Sequence, residues 1–573
     1  MLEKFTQAVR QVITVKLAPR GHTGESFLLR IMAIDYDVIL QELGQFGTYQ
    51  KYIYILFGYM GFVLSLNAMS YVFTAGDLRY RCHIEECDKP GTEFQPAWLK
   101  NAVPMEYQKE EVVPSRCYRY QQANSTLMEH DNSSCPSAWF LNSTERCYHW
   151  VYEGPEETIL SEWDLACDEV GWRLSLVGTV HAIAYLLSVP IVGYISDRFG
   201  RRNALLVTLI LSTVVGVARS FAQSYVQFII LEGLSVLIGS GAYATTFILA
   251  LEMVGADKRV MGGTIIHLMD ALGFASLGVL AWLIPNWRTL IQVMHITGIF
   301  FVAYFWFLPE SVRWLLVKGR FQEAKEIIFE IARINKVNLS EATLNELDDS
   351  KFIPVKNIAD DDEETLLGSL REVFRSRILL LRLLNCCFCW ATNTFVYYGL
   401  ALNSVYLGGN KYVNYILTTL IDLPGFTLSY VAMNTIGRKR TIAASLVAAG
   451  LACLAFICVP PDMPGFILTL FLLGKLAISV SFSTLYAFTA EIFPTSIRNS
   501  LLGTCSMVGR IGTILATQTP SLGRYMGALP PILFGTVSII GGVLALYFPE
   551  TKGTKLPDSV KASMELSSNC EHH

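Results

Sequence analysis

Apolar residues run in long blocks along this chain, and polar residues collect between them. The first block is Tyr52–Phe73. After a long polar interval, eleven more follow near 172–194, 202–222, 225–250, 261–283, 287–308, 376–401, 411–433, 440–459, 464–486, 499–520 and 526–548. Each has the length of about 20 residues that an α-helix needs to cross about 30 Å of hydrocarbon. The blocks lack the short alternation of barrel strands, so the pattern predicts twelve membrane-spanning helices in an all-α polytopic protein.

Composition agrees. The 573 residues are 52% hydrophobic and 16% charged, with a mean hydropathy of +0.39. A soluble domain carries about 25% charged residues. The balance excludes a soluble multidomain enzyme, a disordered chain and a nucleic-acid binder, and it names the lipid bilayer as a partner.

Basic residues predict the orientation. Arg198, Arg201 and Arg202 follow span 2, Lys258 and Arg259 follow span 4, and Arg438, Lys439 and Arg440 follow span 8. The loops on the other side hold little beyond Arg288, Lys411 and Arg524. The basic side is expected to be cytoplasmic, with both termini inside. The organisation expected is a cytoplasmic N-terminal segment (1–50), span 1 (51–73), an extracellular loop (74–171) and spans 2–6 (172–308). A cytoplasmic helical segment (309–375), spans 7–12 (376–548) and a cytoplasmic tail (549–573) complete it.

The loop 74–171 fits an oxidising compartment. It holds Cys82, Cys87, Cys117, Cys135, Cys147 and Cys167, an even set that reads as three disulfides of unresolved pairing. Glycosylation sequons at Asn124, Asn132 and Asn142 share it.

Three motifs recur across the polar divide. Gly200-Arg201-Arg202 returns as Gly437-Arg438-Lys439, offset by 237 residues. Glu252 and Arg259 return as Glu491 and Arg498, offset by 239, and Pro309-Glu310 returns as Pro549-Glu550, offset by 240. Near-constant offsets at matching places imply two parallel six-helix repeats, the layout of a rocking carrier. Asp197, Arg198, Arg201, Glu252 and Arg259 are candidate gate charges, with Arg438, Glu491 and Arg498 as counterparts. Asn434 replaces the acid in the second copy, so that gate is expected to be weaker.

Residues Gly193-Tyr-Ile-Ser-Asp-Arg-Phe-Gly-Arg-Arg202 resemble the loop signature of the major facilitator superfamily. Asp35-Tyr-Asp-Val-Ile-Leu-Gln-Glu-Leu-Gly-Gln-Phe-Gly47, the cysteine-rich loop and Glu162-Trp-Asp-Leu-Ala-Cys167 are similar to the organic cation/carnitine transporters. So are Pro309-Glu-Ser-Val-Arg-Trp-Leu-Leu316, Ala490-Glu-Ile-Phe-Pro-Thr-Ser-Ile-Arg498 and Pro549-Glu-Thr-Lys-Gly553. The resemblance covers about residues 35 to 557 and implies alternating-access transport of small organic ions at the plasma membrane. Val312 stands where the family usually has proline.

Ionisable residues within spans are functional candidates because burying charge in lipid is costly. Trp390 and Tyr397, seven residues apart, share a helix face and can receive an ammonium beside Asp422. Resemblance places these three where the family's cation transporters have cage aromatics and an acid, and places Arg510 where its anion and carnitine members have arginine. Arginine grips a carboxylate bidentately. Lys475 and Tyr243 are further candidates for substrate contact. Asp270 and Glu232 depart from the family pattern and are candidates for coupling to a sodium ion or proton. His181 and His267 read as packed, hydrogen-bonded histidines. The substrate expected is a small zwitterion or cation (carnitine-, β-amino-acid- or amine-like). An organic anion exchanger and a non-transporting membrane receptor are the alternatives. Nothing calls for a cofactor, and catalysis is not indicated: no phosphate-binding glycine loop, metal-spaced cluster or nucleophile elbow occurs.

Overall fold

A computed structural model describes residues 36–89, 93–108, 111–123, 135–255, 258–346, 373–460, 462–493, 498–552 and 563–564. Asn124 and Asn132 lie outside them, as does the side chain of Arg498.

Among the described residues, ten helices have the length and hydropathy to cross a membrane. They include span 1 from Thr48, span 2 (Asp168–Phe199), span 3 (Arg201–Arg219) and span 4 (Tyr225–Gly239, continued by Gly241–Glu252). Span 5 is Arg259–Leu283, and span 6 begins as Trp287–Ile296. The second repeat has span 7 (Arg377–Asn403), span 8 (Lys411–Leu420 and Asp422–Thr435), span 9 (Arg438–Ile457) and span 10 (Pro464–Ile492). Helix Arg498–Ala516 occupies the place of span 11, and the shorter apolar helix Leu529–Ala545 that of span 12.

Span 8 changes helix at Ile421, three residues before Pro424. Proline lacks an N–H and crowds the preceding turn, which explains the break. Asp422 therefore stands in the first turn of the second piece.

Each repeat builds its own apolar core. Phe57, Leu206, Leu249 and Ile266 are buried in the first, and Cys389, Leu446, Ile478 and Phe534 in the second. A third cluster joins the repeats at the end bearing the loop 74–171, through Phe73, Leu277, Tyr415 and Ala516.

Among its described residues that loop is a small domain with three two-stranded antiparallel sheets. Tyr80–Cys82 pairs with Trp150–Tyr152, Met105–Gln108 with Glu111–Pro114, and Tyr118–Gln122 with Phe140–Arg146. Its buried apolar set is small, and three disulfides supplement it: Cys82–Cys147, Cys87–Cys135 and Cys117–Cys167. The six cysteines thus pair as three bridges, with a connectivity the sequence left open. Asn142 is exposed on the Phe140–Arg146 strand.

The hydrogen bonds joining the repeats gather at this loop end. Ser175 and Ser521 hydroxyls are 2.5 Å apart, Thr179 and Thr517 hydroxyls 3.0 Å, and Gln518 Nε2 donates to Thr179 at 2.5 Å. Tyr412 of span 8 stacks on Phe73 and Trp282, and Lys411 pairs with Glu156 of the loop. The repeats touch directly at the loop end.

Candidate functional site

The recurrent charged motifs form the same network twice. Gly200, at φ +104°, ends span 2 and turns the chain directly into span 3. This exposes the N–H groups of Arg201 and Arg202 at a helix start, and the Glu310 carboxylate accepts both, at 3.0 and 3.1 Å. A Cβ on Gly200 would collide with that carboxylate, so position and conformation both demand glycine. Ser311 donates to Glu252 at 2.5 Å, and Glu252 lies 3.0 Å from Arg201 Nε. Asp197 is 3.7 Å from Arg201.

In the second repeat Gly437, at φ +93°, precedes Arg438, whose N–H donates to Glu550 at 2.8 Å. Thr551 donates to Glu491 at 2.5 Å, and Arg438 pairs with Glu491 at 3.0 Å. Sequence spacing anticipated the acids and arginines but missed the hydroxyls of Ser311 and Thr551, which tie each Pro-Glu motif to its network. The pairs Arg201–Glu252 and Arg438–Glu491 run within their own repeats, at the ends of the bundles. Arg259 pairs with Asp37 at 2.6 Å, and Arg198 donates to Tyr194 at 3.0 Å.

The central candidates fall into three groups. Lys475, 1% exposed, lies 3.3 Å from Asp422 and stands over the Tyr397 ring at 3.0 Å. Asp422 also accepts from the Tyr397 hydroxyl at 2.6 Å and from Ser479 at 2.5 Å. The acid and aromatic face read as an ammonium site thus hold an ammonium of the protein itself. Ser479 is four residues beyond Lys475 and on the same helix face, a signal present in the sequence and not used.

Trp390, 1% exposed, donates from its indole to Thr489 at 3.0 Å and meets Tyr486 edge-on at 4.4 Å. Phe482 bridges it to Tyr397, 6.1 Å from one ring and 5.2 Å from the other. Tyr486 stays 40% exposed although it packs on this inward-facing cluster.

Arg510 is different. Its guanidinium lies over the Tyr185 ring at 4.1 Å and approaches the Tyr398 hydroxyl at 3.5 Å. Among the described residues no carboxylate pairs with it. Tyr185 belongs to span 2, so this contact joins the repeats at mid-depth. Sequence reasoning had no marker for Tyr185.

Asp270 of span 5 accepts from Ser65 at 3.1 Å and from Tyr243 at 2.5 Å, with His267 Nδ1 at 3.5 Å. Glu232 is fully buried, paired with Arg219 of span 3 and 2.8 Å from His181. Arg219 supplies a compensating charge absent from the sequence reading of Glu232.

The sequence matches the Major Facilitator Superfamily over residues 155–517 and 414–566. It is 33% identical to the organic cation transporter protein of Drosophila melanogaster, over 92% of this chain and 94% of that protein. It is 30% identical to organic cation/carnitine transporter 2 of Homo sapiens, over 93% of this chain and 94% of that protein. Among solved structures, the inward open conformation of the xylose transporter XylE from E. coli superposes with a TM-score of 0.51. That match has 18% identity and covers 69% of this chain and 89% of XylE, a likeness of fold.

Proposed function

Because the chain belongs to the Major Facilitator Superfamily, and within it to the organic cation/carnitine transporters, we propose that it carries a small organic zwitterion across the plasma membrane by alternating access. The observation that carries this reading is Arg510, a central guanidinium ringed by Tyr185 and Tyr398 with no carboxylate partner among the described residues. A substrate carboxylate supplies the missing charge and accepts two parallel N–H bonds. Trp390, Phe482, Tyr486 and Tyr397 form an aromatic wall beside it, and the Lys475–Asp422 pair makes that wall electrically neutral.

In this reading the disulfide-bearing loop is extracellular, both termini are cytoplasmic, and the contact of the repeats at the loop end makes the conformation inward-facing. The two charge networks then brace the cytoplasmic ends of the bundles while the repeats rock. Asp270 is the remaining candidate for a coupling proton or sodium ion, since Glu232 is held by Arg219.

A second reading has a specific observation behind it. Lys475 occupies Asp422, which leaves the second repeat with net positive charge at its centre and favours an organic anion. Uptake of carnitine, β-alanine, a quaternary ammonium and an aromatic anion, each with and without sodium, separates the two. The zwitterion reading expects saturable uptake of the first or second; uptake of the aromatic anion alone supports the exchanger.

A further inference from the structure

The Asp270 carboxylate is 7% exposed, and each of its oxygens has a hydroxyl donor. Ser65 of span 1 donates to Oδ1 at 3.1 Å, and Tyr243 of span 4 donates to Oδ2 at 2.5 Å. A Cβ on Gly61 would come within 3.0 Å of Oδ1, so span 1 closes tightly over that side. The third neighbour is His267, one turn earlier on span 5. Its Nδ1 lies 3.5 Å from Oδ2 and 3.4 Å from the Tyr243 hydroxyl. The imidazole side chain is 44% exposed, against 11% for that of Asp270. Its ring meets Phe247 of span 4 at 5.4 Å and Phe426 of span 8 at 5.5 Å. A histidine that the sequence presents as packed is thus the open member of a largely buried pair, on a face where the two repeats touch.

We infer that His267 and Asp270 form the site of a coupling proton, which crosses in symport with the substrate. The inference deepens the zwitterion-carrier reading and rests on it. In the neutral ring, Nδ1 carries the hydrogen that Oδ2 accepts, and Nε2 keeps a lone pair. Nε2 takes a proton from hydronium at the exposed edge of the ring: an O–H bond breaks, an N–H bond forms, and water leaves. Imidazole changes charge near neutral pH, which suits it to this exchange. With Asp270 ionised, the unprotonated pair is negative and the protonated pair is neutral. Net charge within a membrane is costly, and a zwitterion adds none, so the loaded carrier rocks most readily with the proton bound.

The donor set favours a proton over sodium. A hard cation takes a shell of oxygen ligands. Here both hydroxyls direct their hydrogens at the carboxylate, and the remaining neighbour is a nitrogen base. The surrounding elements add phenols and a charge pair already matched. Span 1 brings Tyr54, whose hydroxyl donates to the Ala250 carbonyl at 2.9 Å. Span 8 brings Asp422, one turn before Phe426 and paired with Lys475. Its first piece meets span 5 through Tyr415 at Gly278 and Tyr412 at Trp282, about three turns or more from His267. Tyr185 of span 2 and Tyr397 of span 7 are further titratable neighbours of Asp270.

The test uses proteoliposomes holding wild type, His267→Gln or Asp270→Asn, with labelled β-alanine and carnitine as probes. Each protein is measured by counterflow at equal pH and by uptake under a gradient of one pH unit, acid outside, without sodium. Wild type should concentrate a carried probe about threefold or more above equilibrium, within the limit of about tenfold that one unit allows a single proton. An entrapped pH dye should report acidification of the lumen when the probe is added. In both variants accumulation should fall to the equilibrium level and the dye response should vanish, while counterflow remains measurable. Wild-type counterflow without gradient-driven accumulation, drive by sodium or by the opposite pH gradient, or drive retained in either variant overturns the inference. Joint loss of counterflow and drive in both variants overturns it too, because that is what a structural role predicts. Failure of the zwitterion reading looks different: wild type would then show counterflow of neither probe, and the inference would fall with it.

Discussion

Lys475 Nζ lies 3.3 Å from Asp422 Oδ1, and both side chains are almost completely withdrawn from solvent. A family-type acid is thereby neutralised by a lysine on the neighbouring span. Removing one partner of a buried pair leaves the other uncompensated, at a cost of about 3–5 kcal/mol. Lys475→Met and Asp422→Leu are each expected to lower the melting temperature of detergent-purified protein sharply, and the double variant should recover most of the loss. Additive losses in the double variant would refute the pairing.

The two charge networks differ in depth, and their sensitivities should differ with it. Arg201 is 2% exposed at its side chain and Arg438 is 21% exposed. Glu252→Gln is therefore expected to cut the maximal uptake rate about tenfold or more, the effect of about 1.4 kcal/mol, and Glu491→Gln by less. KM should move little, because neither residue is at the central site. Kinetics of the two variants at matched surface expression check the order.

Gly200 and Gly437 hold positive φ beside Glu310 and Glu550. Alanine at either position meets both backbone strain and the carboxylate, with an expected cost of at least about 1–2 kcal/mol. Gly200→Ala and Gly437→Ala should reduce thermal stability, and Glu310→Ala combined with Gly200→Ala should lose less than the sum. Thermal unfolding of Gly200→Ala, Gly437→Ala, Glu310→Ala and the double variant is the measurement.

Cys117–Cys167 ties the loop domain to the start of span 2. Replacing both cysteines by serine removes a cross-link typically worth about 2–4 kcal/mol. Surface delivery should fall, while Asn142→Gln should alter only gel mobility. Biotinylation of surface protein and electrophoresis after glycosidase treatment test both.

Much of the fold was legible because a bilayer imposes it. Twelve apolar blocks, matched loop motifs and the cysteine-rich interval follow from hydropathy and spacing alone, and helices stand at all twelve places. The disulfide pairing and the strand pairing of the loop were not legible, since both depend on how distant loop segments meet. At the centre, the sequence marked Trp390, Tyr397, Asp422, Lys475, Asp270 and Arg510 as residues out of place in lipid, but it could not show which charges cancel. That depends on helix rotation: Lys475 reaches Asp422 across spans 10 and 8, while Arg510 meets Tyr185 and Tyr398. Tyr185 and Phe482 were missed because an aromatic in an apolar helix carries no distinguishing mark.

Counterflow in proteoliposomes addresses the transport claim most directly. Purified wild type, preloaded with unlabelled β-alanine, should accumulate the labelled compound transiently. Arg510→Ala should abolish the overshoot, and Arg510→Lys should restore part of it as a point charge without the guanidinium fork. An undiminished overshoot in Arg510→Ala would contradict the account, because a carboxylate would then cross without the guanidinium that no carboxylate pairs among the described residues.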